Sequence, residues 1–575
     1  MLFPTPTVAN HCRAFTIQQA AKDGIHFPVR VTQFLLHSDD KDRESCDPVS
    51  RLGAEVHIVL FPADKVQYAR PFWQHTGLGI SSRYAEHCLS LLPEEAVAAS
   101  PTIYAKPKFA HRYYSVKGKR QSLPPAPNDT LGDDHSTYLE ERYGRNLPQD
   151  AAAFAKRALR RRIAGVLLRD EAADWGIVGS PNSELRPSTR GPGVTEDDVY
   201  LYPTGMSAIW SAHQMVSAMR PAAKSVAFGF VFFDLESKDE IITDVHGRWL
   251  YVDTVKVLEK WGPGCHFFGF GHEEDVDVLE ALLESESKKN PGCPPIVCLI
   301  TEFPSNPLLG SPNLQRLRAL ADRYEFLIIV DETIGNFVNV EVLPHADIVV
   351  SSLTKVFSGD ANVMGGRSVA CNCDSIQTHD LTCRETLRSL VVNPRGRYYR
   401  ALKDHLSSAY QDIYYSEDAI YMERNSRNFE RRCKAIDENT EAVCDLLRSR
   451  SHDGGAIKHV FYPKWTSREN YELCRKRGPD GVPTGGFGGL LSLTFRSDAA
   501  AAAFFDSLPI NKGPSLGTNF SLACPYTVIA HYTELKWAAE YGVEVGLVRV
   551  SVGMEGREDL LGRFKIAIEA AEAAN

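Results

Sequence analysis

Two short apolar runs, LIIV at 327–330 and IVV at 348–350, each lead into residues that carry chemistry, and that pairing constrains the chain more than any other feature. Both runs are β-branched, brief and bounded by polar residues, which marks strands buried on both faces. Asp331 stands where the first run stops; Ser352, Thr354 and Lys355 stand just past the second. In an open parallel sheet, ligands gather beyond the carboxyl ends of the strands. The spacing therefore aims a carboxylate, two hydroxyls and an amine at one crevice. A carboxylate for a pyridinium nitrogen and a lysine for a Schiff base are the two protein groups that pyridoxal 5′-phosphate (PLP) most needs. Taken singly, each residue has an ordinary use. Asp331 suits a helix N-cap after a strand, and a lone lysine is usually a surface charge. A lysine set between two buried-strand signals and a glycine-rich turn argues against the second.

The flanking sequence repeats the same alternation. LYPTG at 201–205 runs from a strand into the helical MSAIWSAHQMVSAM, with Gly205 at the turn. A helix start behind a glycine offers free backbone N–H groups and suits a phosphate, although any strand–glycine–helix junction looks alike. A strand signal at 224–229, a helix at 275–287, a strand at 295–300, the turn TEFPSNP and a helix at 312–324 follow. This order predicts an α/β domain with a mostly parallel sheet flanked by helices.

At 575 residues the chain exceeds one core, and about two or three domains are expected. Residues 1–115 form an N-terminal appendage of open role, 116–136 a linker rich in Pro, Lys, Asn and Asp, and 137–390 the large domain. Residues 391–450 read as charged connecting helices and 451–575 as a smaller C-terminal α/β domain, with strands at 456–462, 490–495 and 547–552. LFP occurs at 2–4 and again at 60–62, each time before a helical pattern, as two similar strand-to-helix turns would require. Met1 falls directly on the first copy, which leaves open a start further upstream or the loss of an N-terminal piece.

Composition narrows the partners. A net charge of −9 over this length gives no reason to expect nucleic acid or an anionic membrane surface. No apolar run approaches the roughly 20 residues of a membrane helix, and the N-terminus lacks the layout of a signal or transit peptide. The 13 cysteines are scattered. Cys371 and Cys373 form a C-x-C with no second pair, so no metal site is expected, and reduced thiols in the cytoplasm are the plain reading.

Several motifs standing in one order, from about Tyr138 to Ala570, resemble the Cys/Met-metabolism PLP enzymes of fold type I, and most of all the fungal cystathionine γ-synthases. The resemblance implies roles residue by residue. Lys355 in SSLTK matches the Schiff-base lysine, which also shuttles protons, and Asp331 matches the partner of the pyridine nitrogen, with Thr333 packed beside the ring. Gly205 and Met206 match the backbone phosphate clamp, and Ser352 with Thr354 the hydroxyl clamp. Tyr143 and Arg145 in RYGRN match a pair that reaches the phosphate from the neighbouring subunit, which implies a homodimer or homotetramer with shared active sites. Asn306 in PSNP, flanked by Glu302 and Ser305, matches the contact to the cofactor's 3′-oxygen. Arg549 in VRVSVGME matches the holder of the substrate α-carboxylate, with Ser515 in PSLG near it. An arginine among three valines is costly to bury without an anion, which favours that role independently.

The implied activity is γ-substitution on an O-acylated L-homoserine, with cysteine as nucleophile in the cystathionine γ-synthase reading. A carbon, amine or sulfide nucleophile, or a non-catalytic homologue, is the alternative. Three departures bear on that choice. The ring-stacking tyrosine, also a catalytic candidate, is best matched by Tyr251, but residues 231–249 intervene as an insertion: a loop at the mouth of the site or sequence from an unspliced intron. The arginine that in many relatives binds a distal carboxylate has no clear match. TNF at 518–520 stands where many relatives carry a glycine–valine–glutamate pattern.

Overall fold

A computed structural model describes residues 1–36, 53–92, 149–167, 186–229, 253–362, 388–532 and 534–575. The N-terminal module is a small antiparallel sheet of β1 (Leu2–Phe3), β2 (Arg30–Leu36) and β3 (Ala54–Leu60), in the order β1-β3-β2. Both LFP copies end a strand. The first turns into α1 (Pro6–Lys22), whose cap Thr5 accepts from the Val8 amide. Proline at a first turn costs nothing, because its missing N–H would have had no partner there. The second leads through a short 3₁₀ turn into α2 (Val66–Thr76). Phe3, Val8, Phe15, Val59 and Phe72 form the module's core, and that core continues onto Trp210, Trp261 and Ile413 of the body. Phe15 stacks on Trp261 with ring centroids 4.8 Å apart. The module is therefore packed on the body, not tethered beside it. A third helix, α3 (Ser82–Ser90), follows.

The body holds a seven-stranded sheet of β4 (Val199–Tyr202), β5 (Ser225–Phe228), β6 (Cys265–Phe268), β7 (Cys298–Glu302), β8 (Leu327–Asp331), β9 (Ile348–Ser352) and β10 (Arg388–Val392). Its order is β4-β10-β9-β8-β7-β5-β6, and β10 alone runs against its neighbours. Alternation along β8 explains the unbroken apolar runs. Ile328 and Val330 enter a core with Leu317 and Phe337 on one face, while Leu327 and Ile329 enter another with Ile209, Met215 and Leu258 on the other. Helices α4 (Gln149–Ile163), α5 (Gly205–Met219), α6 (Asp253–Lys260), α7 (Glu273–Lys289) and α8 (Leu314–Tyr324) cover the sheet. Asn313 caps α8 by accepting from the Arg316 amide at 3.1 Å.

After the sheet come α9 (Tyr399–Ala409), α10 (Ser416–Ser426) and α11 (Phe429–Ser449). The C-terminal unit is a five-stranded sheet of β11 (Ile457–Phe461), β12 (Leu490–Phe495), β13 (Asn511–Lys512), β14 (Leu522–Pro525) and β15 (Val548–Ser551), backed by α12 (Asp498–Ser507) and α13 (Arg557–Ala573). Its order is β11-β12-β15-β14-β13, with only the β13–β14 pair parallel.

Two features differ from the sequence expectation. The expected boundary at residue 390 falls inside β10, an interior strand of the main sheet, so the stretch read as charged connecting helices begins within that strand. SLVV is as apolar and brief as its neighbours, but charged flanks on both sides hid it. In the C-terminal unit β13 and β14 are additional. Two residues are too few for a periodic signal, and LACP mixes small residues with a terminal proline.

Candidate active site

Strand register brings the candidate residues to one edge of the main sheet. Asp331 pairs with Glu302 on one side and Val350 on the other, so β9 runs two residues further, to Ser352. The backbone of Arg388 pairs with both Ser352 and Tyr202. The end of β4 is thus level with the end of β9 and two strand spacings, about 10 Å, away. There α5 begins. The Thr204 hydroxyl accepts from the Ser207 amide and the Thr204 amide donates to the Ser207 hydroxyl, each at 3.0 Å. This reciprocal cap leaves Gly205 and Met206 as first-turn residues, whose N–H groups have no partner within the helix.

Asp331 and Ser352 are joined through Thr333. One Asp331 carboxylate oxygen accepts from the Thr333 amide at 2.9 Å and from its hydroxyl at 2.5 Å, and that hydroxyl accepts from the Ser352 amide at 2.8 Å. The sequence assigned Thr333 a packing role only; its hydroxyl also ties the two strand ends together. The Ser352 and Thr354 hydroxyls lie 3.3 Å apart. Lys355 follows at φ −81°, ψ −127°, a break inside a tight turn from Leu353 to Phe357. The turn is closed by the Ser358 amide donating to the Leu353 carbonyl and the Gly359 amide to that of Lys355, at 2.8 and 2.9 Å. Lys355 is 4% exposed and Asp331 6%, so both charge-bearing groups lie out of bulk water.

The C-terminal unit closes over this turn. A Cβ at Gly517 would lie 2.5 Å from the Val356 nitrogen and 2.9 Å from the Lys355 carbonyl carbon, and its φ is +73°. Only glycine permits that approach. Asn519 of TNF accepts from Arg432 at 2.8 Å and donates to Asp360, and its amide donates to the Gly359 carbonyl at 2.8 Å. The departure from the family pattern therefore rests on the chain leaving Lys355.

Arg549 alternates with Val548 and Val550 and faces away from their core. Its guanidinium donates to the Asn306 side-chain oxygen at 2.9 Å and to the Pro514 carbonyl at 2.5 Å, beside Ser515. Asn306 in turn donates to the Tyr526 hydroxyl at 3.0 Å, and its amide donates to Glu302 at 3.0 Å. The Arg549 guanidinium lies 4.7 Å from the Tyr526 ring centroid. Tyr526 was not legible as a site residue. It sits 220 positions from Asn306 in an unremarkable CPYT.

Glu332, next to Asp331, was missed as well. It is fully buried and accepts from Arg190 at 2.8 Å, while Arg190 also donates to Glu341 at 3.3 Å. Burial pushes the Glu332 carboxyl up to about 7, opposed by the Arg190 charge. Tyr143, Arg145, Tyr251, Cys371, Cys373, the 116–136 linker and the 231–249 insertion lie outside the described residues.

One amine, one carboxylate, two hydroxyls and a helix first turn thus stand at one sheet edge, with an arginine beside them. That donor set fits PLP: an amine for its aldehyde, an acid for its ring nitrogen, neutral donors and helix amides for its phosphate.

Comparison with known proteins agrees. Residues 276–569 match the family model described as Cys/Met metabolism PLP-dependent enzyme, and residues 1–81 that of the fungal trans-sulfuration enzyme N-terminal domain. The chain is 48% identical to the cystathionine gamma-synthase-like enzyme iboG2 of Amanita muscaria, covering 100% of this chain and 86% of that protein. It is 39% identical to the cystathionine gamma-synthase of Neurospora crassa, again over 100% of this chain and 86% of the relative. The crystal structure of cystathionine gamma synthase from Xanthomonas oryzae shares the fold, with a TM-score of 0.50 at 19% identity, over 73% of this chain and 99% of that one. The chain belongs to the Cys/Met-metabolism PLP-dependent enzymes, among their fungal cystathionine γ-synthase-like members.

Proposed function

We propose that the chain catalyses γ-substitution on an O-acylated L-homoserine, with cysteine as the nucleophile and cystathionine as the product. The observation that supports this most is the junction of Arg549, Asn306 and Tyr526 beside the Lys355 turn, in a chain 39% identical over its whole length to a cystathionine gamma-synthase. Bound PLP supplies the electron sink that makes the substrate's Cα and Cβ protons removable.

The protein's own residues do the rest. Arg549 holds the α-carboxylate through its planar fork, with Ser515 beside it. Lys355 would take the proton from Cα, release it and, as a free amine again, take that from Cβ; its burial keeps water from competing for the amine. The Cγ–O bond would then break, the acyloxy group leaving as a carboxylate with the bonding pair; the nucleophile gives up its proton and bonds to Cγ, and Cβ and Cα are reprotonated. Asp331, oriented by two bonds from Thr333, would serve the ring nitrogen; Asn306 would serve the 3′-oxygen; Gly205, Met206, Ser352 and Thr354 would hold the phosphate. By the family resemblance Tyr143 and Arg145 would reach that phosphate from a neighbouring subunit and Tyr251 would lie on the ring, and on this reading the working protein would be a homo-oligomer with shared sites.

Among the described residues no helix is long and apolar enough to cross a membrane, and nine described cysteines are free thiols. A reducing, cytoplasmic setting suits the proposed reaction.

A second reading keeps the chemistry and changes the nucleophile to a carbon, amine or sulfide. It is favoured by the 48% identity to a protein named only as cystathionine gamma-synthase-like, and by TNF resting on the Lys355 turn. Purified enzyme incubated with O-acetyl-L-homoserine and cysteine, sulfide, an amine, a carbon nucleophile or water alone, read by mass spectrometry, separates them. Cystathionine as the main product is expected. Its absence beside another γ-adduct moves the assignment to the second reading, and no γ-substitution product at all rejects both.

Tyr526→Phe tests the carboxylate site. Removing one hydroxyl leaves the buried Asn306 amide short of an acceptor, a loss of about 1 kcal/mol. The expected result is about a fivefold rise in KM for the amino-acid substrate with kcat retained. An unchanged KM would dissociate Tyr526 from substrate binding.

A further inference from the structure

The N-terminal module touches the cofactor site at two separate points. From the last turn of α2 onward the chain is buried for five residues in a row, His75 to Gly79, which is not how an appendage meets solvent. Gly77 ends α2 in the left-handed region, at φ +58°. A Cβ there would lie 1.9 Å from the Thr204 hydroxyl oxygen and 2.9 Å from the Thr204 Cβ. Thr204 is the residue whose hydroxyl caps α5. It cannot turn away from Gly77 without releasing the Ser207 amide and tilting the first-turn N–H groups. On the other side of Lys355, Arg83 of α3 donates to Asp418 at 2.6 Å and to the Asn362 carbonyl at 2.5 Å, with its guanidinium 4.1 Å from the Tyr421 ring centroid. Asn362 belongs to the chain that leaves the Lys355 turn.

We propose that the N-terminal module is a positioning element of the cofactor site. Gly77 braces the helix start that forms the phosphate cup, and Arg83 braces the chain beyond Lys355. The inference rests on the reading of Gly205 and Met206 as phosphate ligands, and it gives the module a task beyond stability. The amides of a first turn are directional donors, and a small displacement of oriented groups has large effects on binding.

The test uses the full chain stripped of cofactor and titrated with PLP and with pyridoxal, which lacks the phosphate. The ratio of the two dissociation constants reports the cup alone. Gly77→Ala is compared with Gly24→Ala, which sits in the same module at φ +69° with nothing within 4 Å of its Cβ. Both variants pay the same backbone strain; only the first presses on Thr204. The expected result is about a tenfold fall in the preference for PLP in Gly77→Ala, with the wild-type ratio kept in Gly24→Ala. Arg83→Ala is expected to weaken both ligands together, about threefold or more, at an unchanged ratio. A wild-type ratio in Gly77→Ala overturns the cup brace while leaving the cup itself standing. Equal losses in both glycine variants overturn it too, because general weakening of the module then suffices. Unchanged binding of both ligands by Arg83→Ala overturns the second brace. If the wild-type chain shows no preference for PLP over pyridoxal, the cup reading and the inference fall together.

Discussion

Lys355→Ala is expected to slow turnover roughly 10⁴-fold or more and to abolish covalent attachment of the cofactor. The backbone of the turn does not rest on the amine. The Lys355 turn is closed by backbone bonds from Ser358 and Gly359 and by the approach of Gly517, none of which involves the lysine side chain. The variant therefore isolates chemistry from folding. After borohydride reduction and digestion, the wild-type protein should carry the cofactor's mass on the peptide containing Lys355, and the variant should carry none. Cofactor mass on another peptide, or turnover close to wild type, would remove Lys355 from the centre of the mechanism.

Arg190→Leu is expected to destabilise the protein by about 3–5 kcal/mol. Arg190 is 1% exposed and its guanidinium serves two carboxylates, Glu332 and Glu341. A leucine removes the guanidinium the two acids share and leaves Lys476 as the nearby cation, while Glu332 has no route to water. The sign of the pH dependence follows from its titration. Burial holds the Glu332 carboxyl at about 7 against an ordinary 4.5. An acid raised in this way keeps its proton in the folded state where the unfolded chain has lost it. Its contribution favours folding at low pH and is lost as pH rises from about 4.5 through 7. Without Arg190 the carboxyl is pushed higher still, so the variant loses less stability near pH 5 than near pH 8. Denaturant unfolding at both pH values checks this. A loss under about 1 kcal/mol, or one independent of pH, would show that the core accommodates the two acids without the guanidinium. Because Glu332 adjoins Asp331, the same substitution also tests how firmly the Asp331 carboxylate is held.

The site divides into a part written locally and a part assembled at a distance. LIIVD and IVVSS declare themselves as buried strands, and a residue at the end of a buried strand has its position assigned by the strand itself. Hence Asp331, Ser352, Thr354 and Lys355 were legible, and so was the strand–glycine–helix step at Gly205. Asn306 and Arg549 were legible only through their motif context, since neither SNP nor RVS announces a partner. Their bond joins residues 243 positions apart. Tyr526 completes the same knot, and no pattern in its own neighbourhood points to Asn306. β10 was hidden because its flanks are charged, although it separates β4 from β9 and so sets the distance between the start of α5 and Ser352.

By itself the sequence determined the alternation of strand and helix, and with it the sheet edge at which an acid and an amine must emerge. That much follows from side-chain period and apolar content, which act over a few residues at a time. Tertiary structure alone decided that Arg190 lies between two acids, that Gly77 meets Thr204, and that Gly517 seals the turn at Lys355. These contacts depend on close packing between elements far apart in the chain, where tenths of an ångström select one residue type and nothing nearby records the choice.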